Sequence, residues 1–196
     1  LIDQVDELKI YLNEYKTVPN FLKSEKITVF RSQDYRDLGD SGKFFFLKDY
    51  SGYYFSCDDD IIYPKDYISN TIKNIDFFNR KAFVGYHGII VNHKFKSYFA
   101  SRKVYHYRRT VEYSRPVNIL GTGVMAFHTD TIHPKLSDFK KKNMADIWMA
   151  IFAKNNKVPM ICLRHSKKYF RLTENSEVLS IYNSSKDGDK SKKDTL

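Results

Sequence analysis

The chain has 196 residues and a mass of 23.2 kDa, which is the size of one domain with a core of its own. Its net charge of +10 points to an anionic partner, either a nucleotide sugar, an acidic glycan, a nucleic acid or an anionic lipid surface. The absence of a long apolar run excludes a membrane-spanning helix, and no signal peptide is recognisable. We therefore expect a soluble or peripherally attached protein, cytoplasmic or at the inner face of the cell membrane.

Short apolar runs at residues 7–13 and 27–30 predict two strands near the start of the chain. A Gly-rich loop at 35–43 and a buried strand at 53–57 follow. After Pro64, isoleucines at helical spacing predict a helix over 64–80. The remaining predicted elements are strands at 83–91, 117–128 and 158–163 and a helix at 143–155.

This alternation of strands and helices predicts an α/β protein with a mostly parallel sheet. We expect the basic, aromatic stretch at 92–116 to run over the surface near the active site. Residues 1–182 form the predicted domain, and the polar tail at 183–196 is expected to be disordered. Cys57 and Cys162 lie in apolar runs, which favours buried thiols over a disulfide or a metal pair.

Three adjacent acids, Asp58, Asp59 and Asp60, follow the predicted strand at 53–57. They therefore lie at the carboxyl end of a sheet strand, where ligands bind in α/β proteins. Neighbouring carboxylates repel one another and are tolerable beside a core if a cation neutralises them. Hard oxygen ligands suit Mg²⁺ or Mn²⁺, which retain positions for substrate phosphates. The alternative is a solvated acidic turn.

Seven short motifs give the chain a resemblance that runs from about Val5 to about Phe170. In order they are Val5-Asp6-Glu7-Leu8, Leu12-Asn13-Glu14, Asp34-Tyr35-Arg36-Asp37, Gly42-Lys43-Phe44, Asp58-Asp59-Asp60-Ile61-Ile62-Tyr63-Pro64, Gly85-Tyr86-His87-Gly88 and Leu120-Gly121-Thr122-Gly123. The set resembles bacterial glycosyltransferases of the GT-A fold, above all the α-N-acetylglucosaminyltransferases that build heparosan-type capsule.

The resemblance implies a Rossmann-like GT-A fold whose first strand and helix would precede Leu1. It also implies transfer of a sugar, N-acetylglucosamine in that group, from a UDP-sugar to a capsular or other cell-surface glycan. The acceptor could be acidic or lipid-linked, and either retention or inversion is compatible with the resemblance. A divalent cation, Mn²⁺ or Mg²⁺, would bridge protein carboxylates and the donor diphosphate.

The family's acidic Asp-x-Asp motif implies a role for each aspartate. Asp60 would be the principal metal ligand, Asp58 would contact the ribose or the metal, and Asp59 would face the donor sugar. Many GT-A enzymes also place a histidine on the metal after the last strand, which here corresponds to His165. His87 would be either a substrate contact or a hydrogen-bonded core histidine.

The Gly-rich loop would supply nucleotide contacts. By resemblance, Lys43 would hold uracil or the diphosphate and Asp37 would contact the nucleotide. A solvated lysine and a turn-forming aspartate are the respective alternatives. Gly121 and Gly123 would let the backbone approach the sugar or acceptor, with the Thr122 hydroxyl between them, or would form a strand bulge.

Asp146 resembles the acid that GT-A enzymes place beside the acceptor. In an inverting enzyme it would act as general base, and in a retaining enzyme it would orient the acceptor or stabilise positive charge on the sugar ring. The alternative is a helix amino-terminal cap. Trp148, on the same predicted helix, could stack on a sugar or lie in the core.

Two other functions compete with this one. A nucleic-acid binding module would explain the basic charge and interleaved aromatic residues, but three acids beside an apolar strand would repel phosphate, so nucleic acid is the weaker partner. Another Mg²⁺-dependent phosphoryl or nucleotidyl transfer enzyme would also use paired carboxylates. The chain lacks a Gly-rich phosphate loop ending in Lys-Ser or Lys-Thr, which weakens the kinase-type version.

Overall fold

The computed structural model describes residues 1–92, 94, 97 and 100–173, so the predicted disordered tail at 183–196 lies outside the described residues. The helical elements of the site region are an 11-residue 3-10 segment at Gly39–Asp49 and the helices α1 (Tyr67–Phe77) and α2 (Ala145–Asn155). The strands are β1 (Leu8–Leu12), β2 (Ile27–Arg31), β3 (Tyr53–Cys57), β4 (Ile61–Ile62), β5 (Phe83–Gly85), β6 (Gly88–Val91), β7 (Arg102–Tyr105), β8 (Arg115–Val117), β9 (Ile119–Leu120), β10 (Val124–His128), β11 (Met160–Cys162) and β12 (Arg171–Leu172).

The main sheet has five strands in the order β3-β10-β5-β11-β8. β5 and β11 run parallel, whereas the other three neighbouring pairs are antiparallel. The predicted α/β class is confirmed, but the prediction of a mostly parallel sheet is wrong. The sheet is mixed and mostly antiparallel, and its order is not clearly that of a Rossmann-like fold.

Two predicted strands each divide between two sheets, which accounts for the error. Residues 83–91 form β5 in the main sheet and then β6 in a second sheet, ordered β7-β6-β9. Residues 117–128 begin with the last residue of β8 and then form β9 in that second sheet and β10 in the main one. The crossing points lie at His87 and Thr122, where the Gly121 N–H donates to the His87 carbonyl over 2.9 Å. The remaining sheets are the parallel pair β1-β2 and the antiparallel pair β4-β12.

The main sheet is buried on both faces. Along β10, Met125 and Phe127 lie in the core cluster that includes α2, whereas Ala126 lies in the cluster that includes α1. Such alternation is the consequence of the two-residue period of a strand, and a strand covered on both faces has a continuous apolar sequence. All five residues of β10 are buried.

Both helices are shorter than predicted. α1 ends at Phe77 and buries Ile68 and Ile75, and α2 begins at Ala145 and not at Asn143, whose φ of 58° is outside the helical range. No helix among the described residues is long and apolar enough to cross a membrane. Cys57 and Cys162 are both free, as predicted, and burial raises the pKa of each thiol to about 12.

Candidate functional site

The acidic turn begins where β3 ends, opposite the start of β10. Cys57 pairs with Val124 in the antiparallel register, so Asp58 and Gly123 face each other beyond the last pair. A Cβ added to Gly123 would lie 2.5 Å from Cγ of Asp58 and closer still to Oδ2, so no other residue would fit without displacing that carboxylate. The close approach predicted at this glycine is therefore an approach to Asp58.

Tyr63 ties the same two residues together through their backbones. Its hydroxyl accepts the N–H of Asp58 over 2.8 Å and donates to the carbonyl of Gly123 over 2.5 Å. Sequence reasoning did not single out this tyrosine, although it belongs to the acidic motif. Its phenol fixes the end of β3 against the start of β10, so the position of the Asp58 backbone does not depend on a ligand.

Lys43 lies on the 3-10 segment and forms an ion pair with Oδ1 of Asp58. The carbonyl of Lys43 accepts a 2.6 Å hydrogen bond from the Tyr54 hydroxyl, which anchors this part of the segment to β3. Burial opposes the charged ammonium, but Asp58, Asp146 and Asp40 outweigh that effect and raise the pKa of Lys43. Lys43 is thus a mostly buried, charged lysine, not the solvated loop lysine of the alternative interpretation.

Asp146 lies in the first turn of α2 and binds Thr122. Its Oδ1 accepts the Thr122 backbone N–H at 2.8 Å and the Thr122 hydroxyl at 2.7 Å. Burial raises the pKa of Asp146, while the two Thr122 bonds and nearby Lys43 limit the rise. Thr122 itself is 3% exposed. Its hydroxyl is therefore committed to Asp146 and holds that carboxylate near the β9–β10 crossing.

The helix-cap alternative for Asp146 does not describe its contacts. The N-cap position of α2 is Met144. The N–H of Ala145, which lies in the first turn of the helix, donates to Oδ2 of Asp40 over 2.9 Å. Asp40 thus satisfies the helix end from the 3-10 segment, a role that the sequence pattern did not reveal. Burial raises the pKa of Asp40, and repulsion from Asp146 acts in the same direction. Its other oxygen, Oδ1, is buried without a hydrogen-bond partner among the described residues.

The other two acids of the triplet occupy the turn between β3 and β4. Asp59 is exposed, and Asp60 is half-buried with its carbonyl bonded to the Thr173 N–H at 2.9 Å. Burial raises the pKa of Asp60, and the charges of Asp58 and Asp59 raise it further. This repulsion is what the sequence predicted for adjacent carboxylates, and a cation near Asp58 and Asp60 would relieve it.

His165 lies beside two other histidines near the turn. The residue is 8% exposed, and its Nδ1 donates to the Leu163 carbonyl over 2.8 Å. The His87 and His106 rings are 4.8 Å apart, and burial, together with Arg102, lowers the pKa of His87 to about 4. His87 is therefore a neutral, mostly buried histidine at neutral pH.

Two carboxylates, Asp58 and Asp60, could hold a cation. Among the described residues, no group of three or more His, Cys, Asp or Glu side chains has an arrangement that could hold a metal ion, so Asp58, Asp60 and His165 do not form one. Two hard oxygen donors nevertheless fit Mg²⁺ or Mn²⁺, which commonly take one or two carboxylates and complete their coordination with water and phosphate. The donor chemistry of the turn thus fits such an ion without a histidine.

Asp37 contacts both its own turn and a residue far away in the chain. Its Oδ1 accepts the Gly39 N–H at 2.8 Å, which matches the turn-forming interpretation, and its Oδ2 pairs with Lys142 at 2.5 Å. The hydrogen bond from Lys142 lowers the pKa of Asp37. A Cβ on Gly121 would lie 3.1 Å from Cβ of His87, so this glycine permits the crossing of the two sheets.

A cavity of about 600 Å³ beside α2 is lined by none of the residues predicted to bind the metal or the nucleotide or to act as the base. Trp148 forms part of its wall, with Lys140 above the indole at 5.9 Å. Nε1 of Trp148 is buried and has no hydrogen-bond partner among the described residues. Trp148 thus packs partly against the core and partly lines this cavity.

Five of the predicted residues converge in space from four separate parts of the chain. They are Lys43, Asp58, Thr122, Gly123 and Asp146. No protein-family model matches the sequence, and no curated protein matches it either.

Proposed function

We propose that the protein is a metal-dependent glycosyltransferase of the GT-A type. It would transfer a sugar, with N-acetylglucosamine as the first candidate, from a UDP-sugar to a capsular or other cell-surface glycan. The observation that carries the proposal is the convergence of Asp58, Lys43 and Asp146 at one end of the main sheet. Their sequence motifs lie far apart, and their joint position is the one that donor binding and acceptor activation would need.

Asp58 and Asp60 would bind the ion that accompanies the donor. A divalent ion at these carboxylates would supply positive charge where the diphosphate leaving group becomes more negative. Lys43 supports this role because it already carries its charge beside Asp58 and is mostly shielded from water. A lysine can move as a point charge between a carboxylate and a phosphate.

Asp146 would act beside the acceptor hydroxyl. Its raised pKa suits a general base, since a base is most effective when its pKa approaches the working pH. Both Thr122 bonds fall on Oδ1, which fixes the orientation of the carboxyl group. In a retaining enzyme the same orientation would serve to position the acceptor.

The basic surface suits the proposed partners in a less specific way. Cations at 102–109 and the excess of 33 Lys and Arg over 23 Asp and Glu would attract an acidic or lipid-linked acceptor. The same charge would favour peripheral contact with an anionic membrane face.

The direct test is release of UDP from a panel of UDP-sugars, with Mn²⁺ and with a chelator. We expect Mn²⁺-dependent release, and we expect Asp60→Asn to lose Mn²⁺-dependent UDP binding. Asp3→Asn is the matched control, because Asp3 is exposed in the first short helical turn of the chain. If no UDP-sugar of the panel releases UDP, and if Asp60→Asn binds UDP as the wild type does, the proposal is refuted. Binding of ATP or of DNA in place of UDP would favour the two competing functions.

A further inference from the structure

A second cleft, of about 420 Å³, does not include Lys43, Asp58, Asp60 or Asp146, although two of its residues, Arg108 and Arg109, belong to the basic stretch at 102–109. It is lined by His106, Arg108, Arg109, Lys167 and Phe170. Three of these five side chains are cations, and Phe170 is 2% exposed, so the cleft has basic walls and a buried apolar residue at its base.

The walls of this basic cleft come from two chain segments that are fixed to each other. Val111 and His165 exchange two backbone hydrogen bonds of 2.9 Å, which join the segment after β7 to the turn before β12. The first segment is also closed on itself, because the Arg109 N–H donates to the His106 carbonyl over 2.8 Å. The backbone positions of Arg108 and Arg109 relative to Lys167 are therefore set by the fold, while the three side chains are exposed to solvent.

The three cations of the basic cleft are not neutralised within the described part of the chain. None of the ion pairs between described residues includes Arg108, Arg109 or Lys167. Burial lowers the pKa of His106 to about 4, and the charges of His87, Arg108 and Arg109 add to that effect. Like charges that share a concave surface focus a positive potential, which attracts anions more strongly than scattered lysines do.

His106 also has the tautomer that an anion needs. Nδ1 of His106 accepts the backbone N–H of Arg108 at 3.1 Å, so in the neutral ring the proton lies on Nε2. A neutral imidazole that keeps its Nε2 proton can donate a hydrogen bond to an oxygen. Arginine side chains present paired donors that match the two oxygens of a carboxylate or phosphate.

We infer that the basic cleft binds an oxyanion, the carboxylate or phosphate group of a ligand, without a metal ion. The cleft borders the acidic turn through Tyr107, whose ring stacks on His106 at 4.5 Å and lies 6.0 Å from Phe170. Burial raises the pKa of Tyr107 to about 12, and the charge of Asp60 contributes to that rise. A ligand in the cleft would therefore lie next to the proposed donor site, yet the inference holds whether or not the protein transfers sugars.

The test measures anion binding in the presence of a chelator, so that the acidic turn cannot contribute a metal site. Inorganic phosphate is titrated while the ring signals of His106 are followed by NMR. Arg109→Gln combined with Lys167→Gln should weaken phosphate binding about tenfold. The control pair, Lys23→Gln with Lys154→Gln, removes the same charge from two exposed lysines outside the cleft and should bind as the wild type does. Unchanged binding in the double variant, or an equal loss in the control pair, would overturn the inference.

Two further probes distinguish the source of the oxyanion. Methyl glucuronide should bind and methyl glucoside should not, if the ligand is an acidic sugar. UDP should bind without metal and lose affinity in the double variant, if the ligand is a nucleotide phosphate. Either pattern supports oxyanion binding in the basic cleft. Equal binding of glucuronide and glucoside, together with UDP binding that the double variant does not change, would contradict it. Asp60→Asn should keep phosphate binding in chelator, so a failure of the proposed transferase activity would not imply a failure here.

Discussion

Gly123→Ala tests whether the acidic turn depends on the contact between Asp58 and the strand opposite. The added Cβ would lie 2.5 Å from Cγ of Asp58, about 1 Å closer than carbon atoms pack. β10 cannot retreat, because it is paired with β3 on one side and β5 on the other. The Asp58 side chain must therefore rotate away from Gly123, and rotation separates it from Lys43.

The cost has two parts. Forcing an extra methyl group into a packed position costs about 1–3 kcal/mol. Loss of the Lys43–Asp58 pair adds up to about 1 kcal/mol, since the Asp58 side chain is 40% exposed and solvent screens the interaction. We expect the free energy of unfolding to fall by about 1–4 kcal/mol and Mn²⁺-dependent UDP binding to be lost.

Urea unfolding followed by Trp148 fluorescence measures the first effect, and a double-mutant cycle with Asp58→Ala identifies its cause. Asp58→Ala removes the atoms that the new Cβ would meet, so Gly123→Ala should cost at least about 1 kcal/mol less on that background. Gly121→Ala is the control, because its Cβ would lie 3.1 Å from the nearest atom and requires a smaller shift. Equal costs of Gly123→Ala on both backgrounds would refute the steric argument.

Three other substitutions test the contacts around the turn. Tyr63→Phe leaves the two backbone groups that its hydroxyl joins without a partner, so urea unfolding should show a loss of about 1–3 kcal/mol. Thr122→Val removes one of the two hydrogen-bond donors to Asp146, which raises the pKa of that carboxyl group. If Asp146 is the general base, the acid limb of the pH–rate profile should move to higher pH. An unmoved acid limb would exclude that role. Asp40→Asn tests how the free energy of unfolding depends on pH. Because burial raises the pKa of Asp40 above 3.8, the folded state binds its proton more tightly than the unfolded chain, and stability falls as the pH rises above 3.8. The variant should show a smaller fall, and an identical slope would contradict the assignment.

The sequence predicted the positions of the acidic turn and Asp146 because charge beside an apolar run is a local signal. It did not predict that Asp58 contacts Gly123, since that contact depends on the register of β3 against β10. Register is set by the packing of two strands that are far apart in the chain, and each strand alone is compatible with several partners.

The sheet direction could not be predicted for a related reason. Residues 83–91 are apolar almost throughout, and nothing in that run marks His87 as the point where one strand ends and another begins in a second sheet. The glycines on either side become informative once the neighbours are known. A Cβ on Gly85 would lie 2.9 Å from the Val124 carbonyl, and one on Gly88 would lie 2.7 Å from Cβ of Cys162, so both positions admit only the smallest residue.

Helix α2 shows how an acid near a helix start can be misassigned. Asp146 and Asp40 each carry a carboxylate close to that helix end, but helix propensity and dipole arguments point only to Asp146 as a cap, because Asp40 lies on a distant segment. Their hydrogen-bond partners distinguish the roles of the two carboxylates. Asp40 accepts the Ala145 N–H, whereas Asp146 accepts the two donors of Thr122. A cap that comes from a distant segment leaves no local pattern, so only Asp146 was visible from the sequence.

The charges of the site explain why a cation is expected at the turn and an anion in the basic cleft. Burial raises the pKa of Asp40, Asp60 and Asp146, and Lys43 partly offsets each rise while it pairs with Asp58, so one ammonium faces four carboxylates among the described residues. The net charge around the acidic turn is negative, and a divalent ion would bring it closer to zero. The cleft beyond Tyr107 has the opposite balance. A ligand with a metal-bound diphosphate at one end and a separate acidic group at the other would match the acidic turn and the basic cleft together. The opposite charges of the two regions would then set the orientation of that ligand on the surface.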